Sequence, residues 1–246
     1  MTSEAPIRIL IVGDGWLAVE KPAGISIHND PGHDLRSLLA RRVLSDTILN
    51  GQVDVDPDYG FHVVGRLDKE ADGLVLAAWR PKVFADLSAQ YAERETGKSY
   101  FLLLYGRLEA GAPDPGGIQW CWPLSKQAGG RRNPAGKSPR VHCQTTVHVT
   151  KITRHFTLVQ CRPQTGRKHQ IRRHAALAGH PVAGDRRYGS SEAADRLQRL
   201  YGFDRIALHA NALTFTPPGS GNAITVETGG FPPSFAELLN AEKEAP

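Results

Sequence analysis

No apolar run in this chain of 246 residues approaches the roughly 20 residues that a membrane-spanning helix needs, so no helical span is expected. Met1–Pro6 lack the charged-then-apolar pattern of an export signal. Cysteine is scarce: Cys121, Cys143 and Cys161 are odd in number and widely spaced, which argues against a disulfide framework or a Cys-rich zinc site. A reducing cytoplasm is the simplest compartment. There is no repeat and no Gly-x-Ser-x-Gly elbow. His169, His174 and His180 are separated by five and six residues, so no i, i+4 pair arises for a metal. Acidic residues are almost missing from one stretch. Between Lys126 and Arg187 stand 14 Lys and Arg against the single acid Asp185, while the rest of the chain has 16 basic and 24 acidic residues. A net +5 thus hides a strongly basic segment, the electrostatic mark of a polyanion partner such as nucleic acid.

The residues that are present describe a folded globular protein. Hydrophobic residues make up 40% and charged residues 22%, and the length permits a sizeable core. Ile7–Val12 and Trp16–Glu20, joined by Gly13-Asp14-Gly15, predict a β-hairpin that Pro22 and Gly24 terminate. Leu35–Leu44 has apolar residues at helical spacing behind a capping Asp34. Asp46–Tyr59 reads as acidic and turn-rich. Pro81 opens a helix whose Phe84, Leu87 and Tyr91 share a face. Lys98–Gly106 reads as a fully buried strand. Gly111–Arg140 reads as a basic loop with no core of its own, either disordered or ordered by a polyanion. Val141–Thr150, Phe156–Cys161, Arg205–Thr216 and Ala223–Val226 predict further strands, and Pro233–Leu239 a last helix. Strands and helices mix without a βαβ period, which indicates an α+β sheet protein.

Two stretches carry the candidate chemistry. His62–Val64 and Leu74–Ala78 read as buried strands around Gly65-Arg66-Leu67-Asp68, a loop that must then sit at the sheet's edge and present its side chains rigidly. An Asp in such a turn is ordinarily a cap or Asx-turn. The second stretch, Gln164–Pro181, predicts a helix of about thirteen residues capped by Thr165 and ended by Gly179 and Pro181. Ile171, Ala175 and Ala178 form its apolar stripe. Arg167, Lys168, Arg172 and Arg173 crowd its first half, where cations oppose the helix dipole, so a bound anion is the functional reading.

These segments together resemble the RluA-type RNA pseudouridine synthases. The likeness is carried, in order, by Lys21-Pro22-Ala23-Gly24, Gly65-Arg66-Leu67-Asp68 and Lys98-Ser99-Tyr100. It continues through Thr165-Gly166-Arg167-Lys168-His169-Gln170-Ile171-Arg172, Gly179-His180-Pro181-Val182-Ala183-Gly184-Asp185 and Leu208-His209-Ala210. Two departures stand out: Gly65 where members usually carry His, and Ala71-Asp72 where Thr-Ser or Thr-x is usual. The resemblance implies a pseudouridine synthase fold, a mixed, largely antiparallel sheet with flanking helices and loops around a central basic cleft. It further implies one catalytic domain over residues 1–246, with a basic insert at about 111–140. Members often carry an N-terminal S4 RNA-binding domain as well; here the first strand is expected to begin at about Ile7, so no S4 domain is expected.

The implied activity is isomerisation of uridine to pseudouridine in transfer or ribosomal RNA. No atoms or electrons are gained, so neither cofactor nor metal is called for. By resemblance Asp68 is the carboxylate at the sugar, acting either on C1′ or on the C2′ proton, and Arg172 is the cation that keeps it ionised. Tyr100 packs on the base and is the candidate for removing the C5 proton; on residue type alone it would be a core tyrosine. Arg66 helps displace the base from its stack. Arg167, Lys168 and Arg173, with the loop Lys126–Arg140, hold phosphates. His169 belongs to the same binding segment, where it and His180 are expected to hydrogen-bond to backbone. The rival from another class is a catalytically inactive RNA-binding protein of the same fold, with Gly65 and Ala71 marking lost function. A glycosylase or nuclease lacks a second carboxylate in a recognisable arrangement.

Overall fold

The computed structural model describes residues 7–109, 116–137 and 139–244, so Met1–Pro6 and the start of the basic insert lie outside the described residues. In chain order the strands are β1 (Arg8–Val12), β2 (Trp16–Lys21), β3 (His62–Val64), β4 (Asp72–Ala78), β5 (Gly97–Tyr105), β6 (Ile118–Trp120), β7 (Leu124–Ser125), β8 (Arg140–Val141), β9 (Thr145–Ile152), β10 (Phe156–Pro163), β11 (Leu208–Phe215) and β12 (Ile224–Glu227). The helices are α1 (Leu35–Ser45), α2 (Thr47–Gln52), α3 (Pro81–Glu93), α4 (Gln170–Leu177), α5 (Ser191–Tyr201) and α6 (Pro233–Glu244). Among the described residues no helix is long and apolar enough to cross a membrane. The chain forms two compact units, Met1–Lys98 with Ala210–Gly229, and Ser99–His209 with Gly230–Pro246.

In the first unit the strands run in the order β1-β2-β4-β11, with β3 also on β4 and β12 on β11. The hairpin forms where expected: Gly13 N–H bonds the Trp16 carbonyl at 2.8 Å, and Val12 lies opposite Leu17. Strand β2 is buried because it has partners on both sides, with Val19 opposite Ile9 on β1 and Val75 on β4. Asp34 caps α1 by accepting from Ser37 N–H at 3.0 Å, and Leu35, Leu38, Leu39 and Val43 enter the core. That core joins Leu17, Val19, Val75, Ala77, Phe61 and Trp79. Helix α2 breaks the turn-rich reading of 46–59. Asp46 ends α1 and caps α2 by accepting from Ile48 and Leu49, both at 3.1 Å. The helix buries no residue, so it leaves no apolar stripe in the sequence.

In the second unit β5-β10-β9-β6 form an antiparallel run, with Leu158 opposite Leu103 and Cys161 opposite Tyr100. Strand β5 buries Ser99 and Leu102–Leu104, while its other residues are partly or fully exposed, unlike the fully buried strand expected. The basic insert is folded. Leu124 pairs with Val141 across β7 and β8, and Ser125 N–H bonds the Ala135 carbonyl at 2.9 Å. Leu124, Ala135 and Cys143 form a small buried cluster against Leu177 of α4. A core that assembles from residues as far apart as Leu124 and Leu177 gives no local pattern, which is why this segment reads as a bare loop.

Helix α4 starts at Gln170, four residues later than the punctuation predicts. Thr165 does not cap it. Its hydroxyl bonds the Gln170 side-chain oxygen at 2.7 Å and accepts from Gln144 N–H at 3.2 Å, holding residues 166–169 as a separate turn. Gly179 does end the segment, in the left-handed region at φ 83°.

Candidate active site

The Asp68 loop occupies residues 65–71, between antiparallel neighbours β3 and β4 whose register sets Val64 opposite Leu76. Strand β4 is interior, paired also with β2 and beside β11, whereas β3 pairs only with β4, so the loop joins a peripheral strand to an interior one. Two glycines frame it for steric reasons. Gly65 has φ 80°, and a Cβ there would lie 2.2 Å from the Tyr91 ring. Gly73 has φ 111°, and its Cβ would lie 2.3 Å from the Ala210 carbonyl oxygen. Gly65 is therefore no mark of decay: α3 delivers Tyr91 into the space that a side chain at 65 would need. Lys98 Nζ stands 3.9 Å over that same ring, and burial lowers its pKa to about 8.

Between the glycines the loop is pinned at both ends of its functional pair. Leu67 packs against the core of the first unit, while Arg66 is exposed and Asp68 half-buried. The carbonyl of Lys69 accepts from Gly24 N–H at 2.8 Å and from Lys21 Nζ at 3.2 Å. Lys21 is 0% exposed, and its ammonium also donates to the carbonyls of Pro22 (2.8 Å) and Ile25 (3.0 Å). Three donors meet three acceptors, so this lysine acts on Asp68 through its charge. Burial lowers its pKa to about 8, against the opposing pull of Asp72, Asp68 and Glu70. Sequence reading took Lys21-Pro22 only as a strand end and a family mark. The signal for more was a lysine at the end of a strand whose first four residues are apolar.

Tyr100, Arg172, Arg167, Lys168, Arg173 and His169 all belong to the second unit. Tyr100 is half-buried on β5. Arg172 is 2% exposed and meets Asp185 in a forked pair, Nε to Oδ2 at 2.7 Å and Nη2 to Oδ1 at 2.9 Å. Asp185 is itself held by the N–H groups of Arg187 (2.9 Å) and Tyr188 (3.1 Å). The Tyr188 ring lies 5.3 Å from the Arg172 guanidinium carbon, and its hydroxyl hydrogen-bonds His169 Nδ1 at 2.9 Å. Burial raises the Tyr188 pKa despite three nearby arginines. His169 thus bonds a side chain where backbone was expected; His180 does bond backbone, at the Tyr105 carbonyl, 3.0 Å away. Arg167 and Lys168 are exposed on the turn before α4.

Arg173 has a different task from the phosphate binding expected of it. It is 0% exposed and donates to four carbonyls: Pro134 (2.6 Å), Ala135 (2.5 Å), Ser125 (3.1 Å) and Lys168 (3.3 Å). Its side chain is consumed in folding the insert, so an incoming phosphate has no access to it. The cations between 126 and 140 do stay exposed: Lys126, Arg131, Arg132, Lys137 and Arg140.

The sequence pattern of RNA pseudouridylate synthases matches residues 15–177, which contain Asp68, Tyr100 and Arg172. The chain belongs to that synthase family. Among its relatives, ribosomal large subunit pseudouridine synthase C of Escherichia coli O157:H7 is 32% identical over 240 residues, covering 95% of this chain and 70% of the relative. The synthase C of Escherichia coli K12 is 33% identical over 223 residues, 89% of this chain and 65% of the relative. Synthase D of Nitrosomonas europaea is 32% identical over 250 residues, 98% of this chain and 67% of the relative. The chain thus spans about two thirds of the length of these relatives. The synthase fold is equally plain in two human structures. RNA Pseudouridylate Synthase Domain Containing 1 superposes with a TM-score of 0.71 at 20% identity over 100% of this chain and 99% of its own. Domain Containing 4 gives 0.72 at 21% identity over 96% and 93%.

Proposed function

We propose that this chain isomerises uridine to pseudouridine in RNA, with Asp68 as the essential carboxylate. Membership of the synthase family is the observation that carries the reading; the pinned Asp68 loop is consistent with it. The N1–C1′ bond breaks, the C5–C1′ bond forms, the C5 proton leaves and N1 gains one, so the reaction balances without a redox partner. Asp68 serves as an anion in either of its two possible roles, attack at C1′ or removal of the C2′ proton. Arg172 is the catalytic cation of this mechanism. A guanidinium has five N–H donors, so one arginine can orient itself on Asp185 and serve a second acid. Tyr100 takes the base, Arg66 helps expose it, and Arg167 and Lys168, with His169 in the same turn, hold the neighbouring phosphates.

We further propose ribosomal RNA of the large subunit as the first substrate to test, modified in the cytoplasm, because the relatives are named for it. The test is site-resolved pseudouridine mapping of cellular RNA incubated with wild type and with Asp68→Asn. Wild type is expected to add pseudouridine, while the variant loses at least about a thousandfold in rate and binds RNA within about threefold of wild type. Wild-type turnover in Asp68→Asn removes Asp68 from the mechanism. An inactive wild type that still binds RNA favours the binding protein of the same fold.

A further inference from the structure

Of the four tryptophans, Trp16, Trp79 and Trp120 are at most 4% exposed, whereas Trp122 is 40% exposed. It is also held in place. Its carbonyl accepts from Nε2 of His174, 2.9 Å away, and its ring meets the His174 ring edge-on at 6.1 Å. His174 is 0% exposed, contacts Trp120 on another side at 6.5 Å, and its Nδ1 bonds the Thr145 hydroxyl at 3.0 Å. Since the carbonyl requires a proton on Nε2, Nδ1 accepts from Thr145 in a neutral ring, in keeping with the lowered pKa that burial causes. A buried, fully bonded histidine thus fixes an aromatic residue that remains in water. Nothing in the free unit repays that exposure.

The surroundings say what would. Trp122 precedes Leu124 by two residues, at most about 7 Å of chain, and Leu124 pairs with Val141, itself 42% exposed beside exposed Arg140. The insert that β7 and β8 close displays Lys126, Arg131, Arg132 and Lys137, and no carboxylate occurs from Lys126 until Asp185. An exposed flat apolar face, followed in the chain by a segment of exposed cations, complements a ligand that is flat, apolar and phosphate-linked. We propose that Trp122 is a stacking platform for an unpaired base of the RNA, with the insert's cations on the flanking phosphates. A paired base keeps its faces inside the helix, so the platform selects single-stranded segments. This deepens the proposed function and rests on it for the identity of the RNA, but the binding itself can be measured apart from catalysis.

The test is fluorescence anisotropy at fixed salt with three probes: an oligouridylate of about twelve nucleotides, an RNA duplex of similar length, and inorganic polyphosphate. Trp122→Leu is expected to weaken the oligouridylate about tenfold and Trp122→Phe less than about threefold, with duplex and polyphosphate unchanged within about twofold. The bond from His174 goes to the backbone, so both variants keep it. The proposal is overturned if Trp122→Leu binds oligouridylate like wild type, or if Trp122→Phe loses as much as Trp122→Leu. It is overturned too if the losses are equal for all three probes. A chain that stacks oligouridylate on Trp122 yet forms no pseudouridine would remove the activity and leave the platform standing.

Discussion

The Asp68 loop and the basic insert are built by the same device in two chemistries. Each is an irregular segment gathered by one buried cation that spends its donors on backbone carbonyls: Lys21 at Pro22, Ile25 and Lys69, and Arg173 at Pro134, Ala135, Ser125 and Lys168. Irregular backbone near a core leaves carbonyls that no ladder satisfies, and a cation with several N–H groups satisfies them together. The difference lies in proton affinity. Burial lowers both pKa values, bringing lysine to about 8, while arginine starts from a far higher value and keeps its charge. The site that needs a nearby charge on an acid thus has a cation that pH can remove, and the insert has one that pH cannot.

Breaking the larger network should cost most. Arg173→Met strands four carbonyls and is expected to destabilise the insert by about 3–5 kcal/mol, since unmet buried acceptors cost about 1–3 kcal/mol each. Hydrogen exchange at residues 125–136 should rise sharply, with residues 65–71 unchanged; equal protection in wild type and variant would show that the four bonds do not hold the insert. Arg173→Lys should rescue little, because an ammonium cannot reach a forked set of acceptors.

Gly65→Ala comes next, at about 2–4 kcal/mol, combining a left-handed alanine with overlap on the Tyr91 ring. Tyr91→Ala in the same chain should recover the overlap part. Thermal unfolding of both single variants and the double variant measures that coupling, and simple additivity would mean the ring moves aside at no cost.

The pH contrast is smaller. Folded Lys21 holds its proton less tightly than the unfolded chain does, so between about pH 8 and 10.5 the unfolded state binds more protons and the fold gains stability as pH rises. Wild type should therefore gain on Lys21→Met by about 1 kcal/mol per pH unit in that window. The gap between wild type and Arg173→Met should stay flat. Denaturant melts at pH 7.5 and 9.5, roughly the two ends of the usable range, measure both.

The exposed arginines should show least. Arg131→Gln with Arg132→Gln is expected to change stability by less than about 0.5 kcal/mol. The same pair should lower the salt slope of RNA binding by about 0.7 for each phosphate that these two side chains neutralise in wild type. A slope equal to wild type would take these residues off the RNA.

Much of the fold is legible in short stretches. Gly13-Asp14-Gly15 makes its hairpin, Asp34 caps α1, Pro81 opens α3 and Gly179 closes the segment after α4. Each of these signals acts within a few residues, so neighbours in sequence contain the whole cause. The candidate roles of Asp68, Tyr100 and Arg172 rest on motif order. Position alone could not separate Arg172 from Arg173. They adjoin in one helix with the same side chain, yet one forks onto Asp185 and the other gathers carbonyls up to 48 residues away.

What the sequence determined by itself is therefore the family, the alternation of strands and helices, and the segregation of positive charge into one stretch, because composition, turn chemistry and periodicity are local quantities. Tertiary structure alone decided which cations face water and which are spent on the backbone, why residue 65 must be glycine, and that the insert has a core. Those outcomes depend on the partner that packing brings to each side chain, and a hydrogen bond or a steric overlap between Tyr91 and Gly65 exists only once the chain has folded to bring them within a few ångströms.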